Sequence, residues 1–236
     1  MLSLAKVVDR IVFLLNAESR YMGHSLTDFF PEPKILNETV SIEGFVNHKI
    51  MPGQARILTS KEIGRIMKFL SSNRDRVLFS LGIYTGMRFS EIVELKPKQL
   101  FTANGGVRNT LKVKRLKRKN TVFSDIPIHA KLKNELLKYK EELDSHTWLF
   151  PSKDSATGHL SRVQGHNILK RVFDDLDLDG ATTHSMRRTC LTNMSRAGVP
   201  LRTIQSISGH ASLSALQAYL EVDVEDKKRA IDLLKY

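Results

Sequence analysis

Leu4, Val7, Val8, Ile11 and Leu14 recur at the spacing of one helix face, so residues 3–18 read as an amphipathic helix. From Gly23 to Gly53 the period is lost, and Pro31, Pro33 and Pro52 interrupt the chain; a short helix over 40–49 is expected within this stretch. Gly53-Gln-Ala-Arg56 reads as a linker. Immediately after it, Thr59-Ser-Lys-Glu62 has the form of a capping box, with Ile63, Ile66, Met67 and Leu70 sharing a face behind it. A new folded unit is expected to start there.

Residues 77–84 predict a buried helix that stops at Gly86 and leaves Arg88 near its end. Ser90 is read as the cap of a short helix through Leu95, closed by Pro97. Asn104-Gly-Gly106 is a turn, and the alternation of Leu111 and Val113, then Val122, Ile126 and Ile128, predicts an antiparallel hairpin. Leu132, Leu136, Leu137 and Leu143 return to helical spacing. Ser161-Arg-Val-Gln164 is a second capping box, opening a helix through Phe173. Helices follow around 184–197, ending at Gly198, and from Pro200 to Gly209; 214–219 and 226–234 also read as helical. The expected fold is mainly α with a small antiparallel β-sheet, an α+β arrangement.

Composition changes the picture through charge. The 236 residues carry 37 Lys and Arg against 25 Asp and Glu, a net charge of +12. Residues 1–56 hold six of each sign, so the whole surplus, 31 basic against 19 acidic, falls in residues 57–236. A basic domain of this kind expects a polyanionic partner, nucleic acid first. Residues 108–119 alone have seven basic residues and no acid, and on a hairpin they would lie against backbone phosphates. The apolar run at residues 11–15 is too short for a membrane span or a signal-peptide core, so the chain is expected in the cytoplasm, associated with DNA. The single Cys190 cannot form an internal disulfide and is read as core packing.

The chemistry collects in an ordered set: Thr85-Gly-Met-Arg88 with Glu91 shortly after, then His184-Ser-Met-Arg187, Gly209-His210, and Tyr219 nine residues beyond His210. Taken singly, a tyrosine on a helix is an ordinary half-buried aromatic, and each histidine is an ordinary hydrogen-bonded one. Taken together they supply a phenolic nucleophile, two guanidinium forks that stay charged, and two imidazoles one could expect in one cleft. A phenol has an ordinary pKa of about 10, so it needs cations and a proton acceptor nearby before it attacks. Arginines can hold the charge that develops on a phosphodiester, a task often given to a metal. His184 and Arg187, three apart, would share a helix face.

At these residues, from about position 58 to about 222, the sequence resembles the tyrosine recombinase (phage integrase) family. The resemblance implies the DNA breaking-rejoining catalytic-domain fold and a nucleophilic Tyr219 that forms a 3′-phosphotyrosyl link and frees a 5′-hydroxyl. It implies that Arg88, His184, Arg187 and His210 bind and activate the phosphate, with Glu91 in support; Glu91 is read equally as a first-turn acid. It implies a general-acid lysine on the hairpin, matched best by Lys119, with Lys117 and Lys114 as alternatives. Lys112, Lys114, Arg115, Lys117, Arg118 and Arg188 are expected to contact DNA. The partner implied is double-stranded DNA carrying a specific site, bound by four protomers, with no metal or nucleotide cofactor and no membrane.

The sequence departs from the family pattern at Met186, Arg188 and Ser208, where leucine, histidine and leucine are usual, and at Phe123-Ser-Asp125, where a basic residue is common. Residues 1–56 are short for the usual DNA-clamping domain; they are read as a reduced clamp, a dimerisation arm, or part of a longer N-terminal region, ahead of a catalytic domain at 57–236. Two rival functions remain at this stage. A type IB topoisomerase uses similar groups, and a non-catalytic DNA-binding protein could use the same scaffold.

Overall fold

The computed structural model describes residues 55–115, 123–143, 147–220 and 224–234. The helices expected over 3–18 and 40–49, and the hairpin residues Lys117, Arg118 and Lys119, lie outside the described residues.

Helix α1 (Ser60–Phe69) opens on the expected capping box: Thr59 Oγ1 accepts from the Glu62 amide, and Glu62 Oε2 accepts from the Thr59 amide at 2.8 Å. Helix α2 (Asn73–Thr85) is buried on nearly every face, with Val77, Leu78, Phe79 and Leu81 all shielded from solvent. It ends at Gly86, as its sequence predicts. The next helix, α3 (Phe89–Val93), differs from expectation. Its cap position is Arg88, and Ser90 lies inside the first turn. The Glu91 carboxylate accepts the Arg88 amide at 2.9 Å, so a buried acid does the capping that a serine hydroxyl was expected to do. Pro97 does not close this helix; it opens α4 (Pro97–Leu100), where its missing N–H removes nothing.

Strands β1 (Thr110–Lys114) and β2 (Phe123–Pro127) pair antiparallel, Thr110 opposite Pro127 and Lys114 opposite Phe123. Leu111, Val113 and Ile126 face the core, which leaves Lys112 and Lys114 on the exposed face. Helix α5 (Ala130–Lys140) buries Leu132 and Leu136 against α2, while Leu137 is exposed and Leu143 follows the helix end. Arg76 of α2 and Glu135 of α5 form a two-pronged ion pair at 2.7 and 3.0 Å. That pair lowers the Glu135 carboxyl pKa, chiefly through the Arg76 hydrogen bond.

The remaining helices among the described residues are α6 (Arg162–Asp175), α7 (Thr183–Arg196), α8 (Leu201–Ser208), α9 (Leu213–Gln217) and α10 (Val224–Asp232). The mainly helical architecture with one small antiparallel sheet agrees with the expectation. Helix α7 packs on α2 so closely that a Cβ on Gly82 would meet Met186 Sδ at 2.7 Å. Met186, in the expected leucine position, fills that contact with similar volume and is itself buried. This close approach sets α7, and everything on it, against the end of α2.

Candidate active site

Helix α7 is capped by Thr182, whose hydroxyl accepts from the His184 amide. His184 therefore sits in the exposed first turn, and Arg187 follows one turn later on the buried side. Arg187 is 4% exposed. Its Nη1 donates to the Gly86 carbonyl at 2.5 Å, and its Nη2 to the Ser208 carbonyl at 2.9 Å and to His210 Nε2 at 3.1 Å. One guanidinium thus joins the end of α2, the end of α8 and the imidazole beyond it. Burial, and next the Arg88 charge, lower the Arg187 pKa to about 10, which still leaves it a cation at neutral pH.

His210 is delivered by Gly209, which ends α8 in the left-handed region at φ 69°. Glycine is required there twice over, since a Cβ would also stand 2.6 Å from Arg115 Nε. The reversal brings His210 Nδ1 to 2.8 Å from Ser208 Oγ. Burial, then the charges of Arg187, Arg88 and Arg115, lower the His210 pKa to about 4, so the ring is neutral at physiological pH. Arginine has donors only, so His210 Nε2 is the acceptor in its contact with Arg187 and the ring proton resides on Nδ1.

Tyr219 lies in the turn just past α9, two residues beyond the helix, and not within it as its sequence predicts. Leu216 anchors that turn in a small apolar cluster with Leu191 of α7 and Ile204 of α8. The phenol oxygen reaches His184 Nδ1 at 3.2 Å. Its ring stands 5.4 Å from the His210 ring and 5.7 Å from Arg187 Cζ, between centroids and to centroid respectively.

Arg88 enters from the turn between α2 and α3. Its Nη1 donates to Glu91 Oε1 at 3.1 Å, and its Nη2 reaches the Gly209 carbonyl at 3.5 Å. Glu91 is buried, and Arg115 donates to its other oxygen at 3.1 Å. Arg115 also donates to Ser124 Oγ at 2.9 Å and to the Ile207 carbonyl.

The sequence-predicted Arg88, Glu91, His184, Arg187, His210 and Tyr219 are thus brought together, although the first and last stand 131 residues apart. Two expected DNA contacts are corrected. Arg115 is 2% exposed, its guanidinium bound within the protein, and it braces Glu91 from behind. Arg188 is 7% exposed and donates to the Ala55 carbonyl at 2.6 Å, tying the start of the unit to α7. Arg115 lies on a face turned to the core, which a basic run in a sequence does not reveal. Arg188 instead lines a cavity beside His184 and Tyr219, with its guanidinium held by the backbone. Lys112 and Lys114 lie on the exposed face as expected. Arg162, Val163 and His166 of α6 line the same cleft of about 630 Å³ as Arg88, Arg187 and Tyr219, and sequence reading passed over them. Their signal was available: Arg162 and His166 are four apart directly after the Ser161 cap, on one side of a helix start.

The cleft can do one kind of chemistry well. A phenol with an imidazole at its oxygen, beside two guanidinium groups, suits nucleophilic attack on a phosphoryl group. Among the described residues no group of three or more His, Cys, Asp and Glu could hold a metal ion, and no helix is long and apolar enough to cross a membrane.

The model of the phage integrase family matches residues 56–226. The chain is 27% identical over 242 residues to the tyrosine recombinase XerA of Pyrococcus horikoshii, covering 96% of this chain and 80% of that one. It is 28% identical to the probable integrase/recombinase YoeC of Bacillus subtilis over 176 residues, covering 74% of this chain and 92% of the relative. In fold it is similar to a solved XerA recombinase, with a TM-score of 0.65 and 21% identity over 79% of this chain and 68% of that one. It is also similar in fold to the XerH site-specific recombinase bound to its difH substrate, with a TM-score of 0.58 and 21% identity over 80% of this chain and 57% of the other.

Proposed function

The chain belongs to the phage integrase family, and from that premise we propose that it is a site-specific tyrosine recombinase whose nucleophile is Tyr219. The observation that carries this reading is the 3.2 Å contact between the Tyr219 oxygen and His184 Nδ1, in a cleft that also holds Arg88, Arg187 and His210.

In this reading the phosphate of a DNA strand sits between Arg88 and Arg187, whose donors take the non-bridging oxygens as negative charge builds. His184 accepts the phenol proton as the Tyr219 oxygen bonds to phosphorus. The bond from phosphorus to the 5′-oxygen breaks, and a hairpin lysine, Lys119, protonates that oxygen; Lys117 and Lys114 are the alternatives. The strand is left with a 3′-phosphotyrosine and a free 5′-hydroxyl. Attack by a 5′-hydroxyl from another strand reverses each step, and the phosphodiester energy is kept without a nucleotide cofactor. Residues 57–236 form the catalytic domain, and residues 1–56 precede it as a reduced clamp, a dimerisation arm or part of a longer N-terminal region. The partner is double-stranded DNA with a recombination site, and strand exchange between two sites uses four protomers. The XerH complex with difH, a recombinase of the same fold on DNA, supports the choice of partner.

The test is covalent trapping. Nicked duplexes from a randomised pool, which lose a short 5′-fragment on cleavage, are incubated with the protein and run on a denaturing protein gel. A protein–DNA adduct is expected for wild type and none for Tyr219→Phe, with DNA binding retained. An adduct that survives Tyr219→Phe refutes the nucleophile. Relaxation of a site-free supercoiled plasmid by a monomer would refute the site-specific reading in favour of a topoisomerase.

A further inference from the structure

Ser208 is the last residue of α8, has no exposed surface, and stands where a leucine was expected. Its hydroxyl lies 2.8 Å from His210 Nδ1 and 3.4 Å from the Gln205 carbonyl. In the protein as it stands, Arg187 donates to His210 Nε2, so Nδ1 carries the ring proton and Ser208 Oγ accepts it. The hydroxyl hydrogen then points toward the Gln205 carbonyl.

This arrangement conflicts with phosphate binding. A phosphodiester oxygen only accepts hydrogen bonds, so an imidazole facing it must present an N–H. The ring is faced by Arg187 from α7, Arg88 from the turn before α3, Arg115 just after β1 and the Tyr219 phenol, and the three arginines oppose a second proton. A neutral ring can turn an N–H toward the cleft only by carrying its proton on Nε2, which leaves Nδ1 in need of a donor. A hydroxyl both donates and accepts and rotates to suit, whereas a leucine or alanine side chain can do neither.

We propose that Ser208 is a positioning residue that holds the His210 ring and lets it exchange tautomers, so that Nε2–H faces the phosphate. The proposal rests on the phosphodiester reading of the cleft. The exchange is neutral: one proton leaves Nδ1 to solvent, one is taken up at Nε2, and the serine hydroxyl reverses from acceptor to donor. Arg187 Nη2, released from the imidazole, then turns to the same phosphate.

The test combines spectroscopy and kinetics on the full chain. Nitrogen-15 histidine spectra of the free protein are expected to show His210 as the Nδ1–H tautomer, moving to Nε2–H when inorganic phosphate is added. Ser208→Ala should lose that movement, and Ser208→Thr, which keeps the hydroxyl, should recover it. In single-turnover adduct formation Ser208→Ala is expected to be roughly tenfold slower, about the worth of one hydrogen bond. The deficit should narrow toward low pH, where a doubly protonated ring donates from Nε2 without help. A wild-type ring that ignores phosphate overturns the proposal. So does a Ser208→Ala protein with the wild-type tautomer response and rate, and that outcome leaves the site reading intact if Tyr219→Phe still forms no adduct. An adduct in Tyr219→Phe sinks the site reading itself.

Discussion

Arg115 Nη1 stands 3.1 Å from Glu91 Oε2, with both side chains shut off from solvent. The pair ties the end of β1 to the acid that holds Arg88, and the same guanidinium reaches the Ile207 carbonyl, three residues before His210. A buried pair of this kind adds little net stability over an apolar replacement, but removing one member strands the other.

Arg115→Met is therefore expected to destabilise the protein by about 3 kcal/mol, at the lower end for a broken buried pair because Arg88 still compensates Glu91. Adding Glu91→Gln to Arg115→Met should cost less than the sum of the two single changes. Denaturant midpoints at an unchanged m-value measure this coupling, and strict additivity would show that the pair does not act as a unit.

Stability should also depend on pH through His210. Its folded pKa, lowered by burial to about 4, lies below the ordinary value of 6.5. Between those values the unfolded chain binds more protons than the folded one, so the contribution is complete above pH 6.5 and is lost as pH falls toward 4. The loss should reach roughly 3 kcal/mol, at one pKa unit per 1.36 kcal/mol. In His210→Asn the same titration should be flatter through this window. An equal slope in both proteins would assign the acid sensitivity elsewhere.

Salt dependence should separate surface lysines from interior arginines. Replacing both Lys112 and Lys114 with alanine should lower the slope of log affinity for duplex DNA against log salt by about 1 per lysine. Arg188→Ala should leave that slope unchanged and lower the melting temperature instead, because its guanidinium holds the Ala55 carbonyl. A reduced slope for Arg188→Ala would return that residue to the DNA surface.

Lys119→Ala is expected to slow cleavage by about 100-fold or more, the lower range for general-acid catalysis. A substrate with a better 5′ leaving group should restore the rate, since such a group needs no proton. Full activity of Lys119→Ala on ordinary DNA would move the role to Lys117 or Lys114.

Much of the helical scaffold was legible because its signals are local. Thr59 with Glu62, and Ser161 with Gln164, satisfy helix-end amides within one turn of chain, so spacing alone announces them. Ser90 misled because a serine near a helix start competes with a carboxylate three residues after Arg88, and the buried Glu91 won. The site's residue types were legible as well, since ordered Arg, His-x-x-Arg, Gly-His and Tyr make a chemical set whatever their surroundings.

Which side of the molecule each charge faces was not legible. Arg115 follows Lys112 and Lys114 in one basic run, yet its side chain turns inward to Glu91 while the two lysines stay exposed. Ser208 stands out in the sequence only as a serine where leucine is usual; its partner is decided by Gly209, which folds His210 back onto its hydroxyl. A sequence determines local hydrogen bonding, period and the inventory of reactive groups, because those depend on neighbours within a turn or two. The partner a charged group meets depends on contacts between segments far apart in the chain. Burial then decides whether that group serves as an exposed cation, an internal brace or a neutral imidazole.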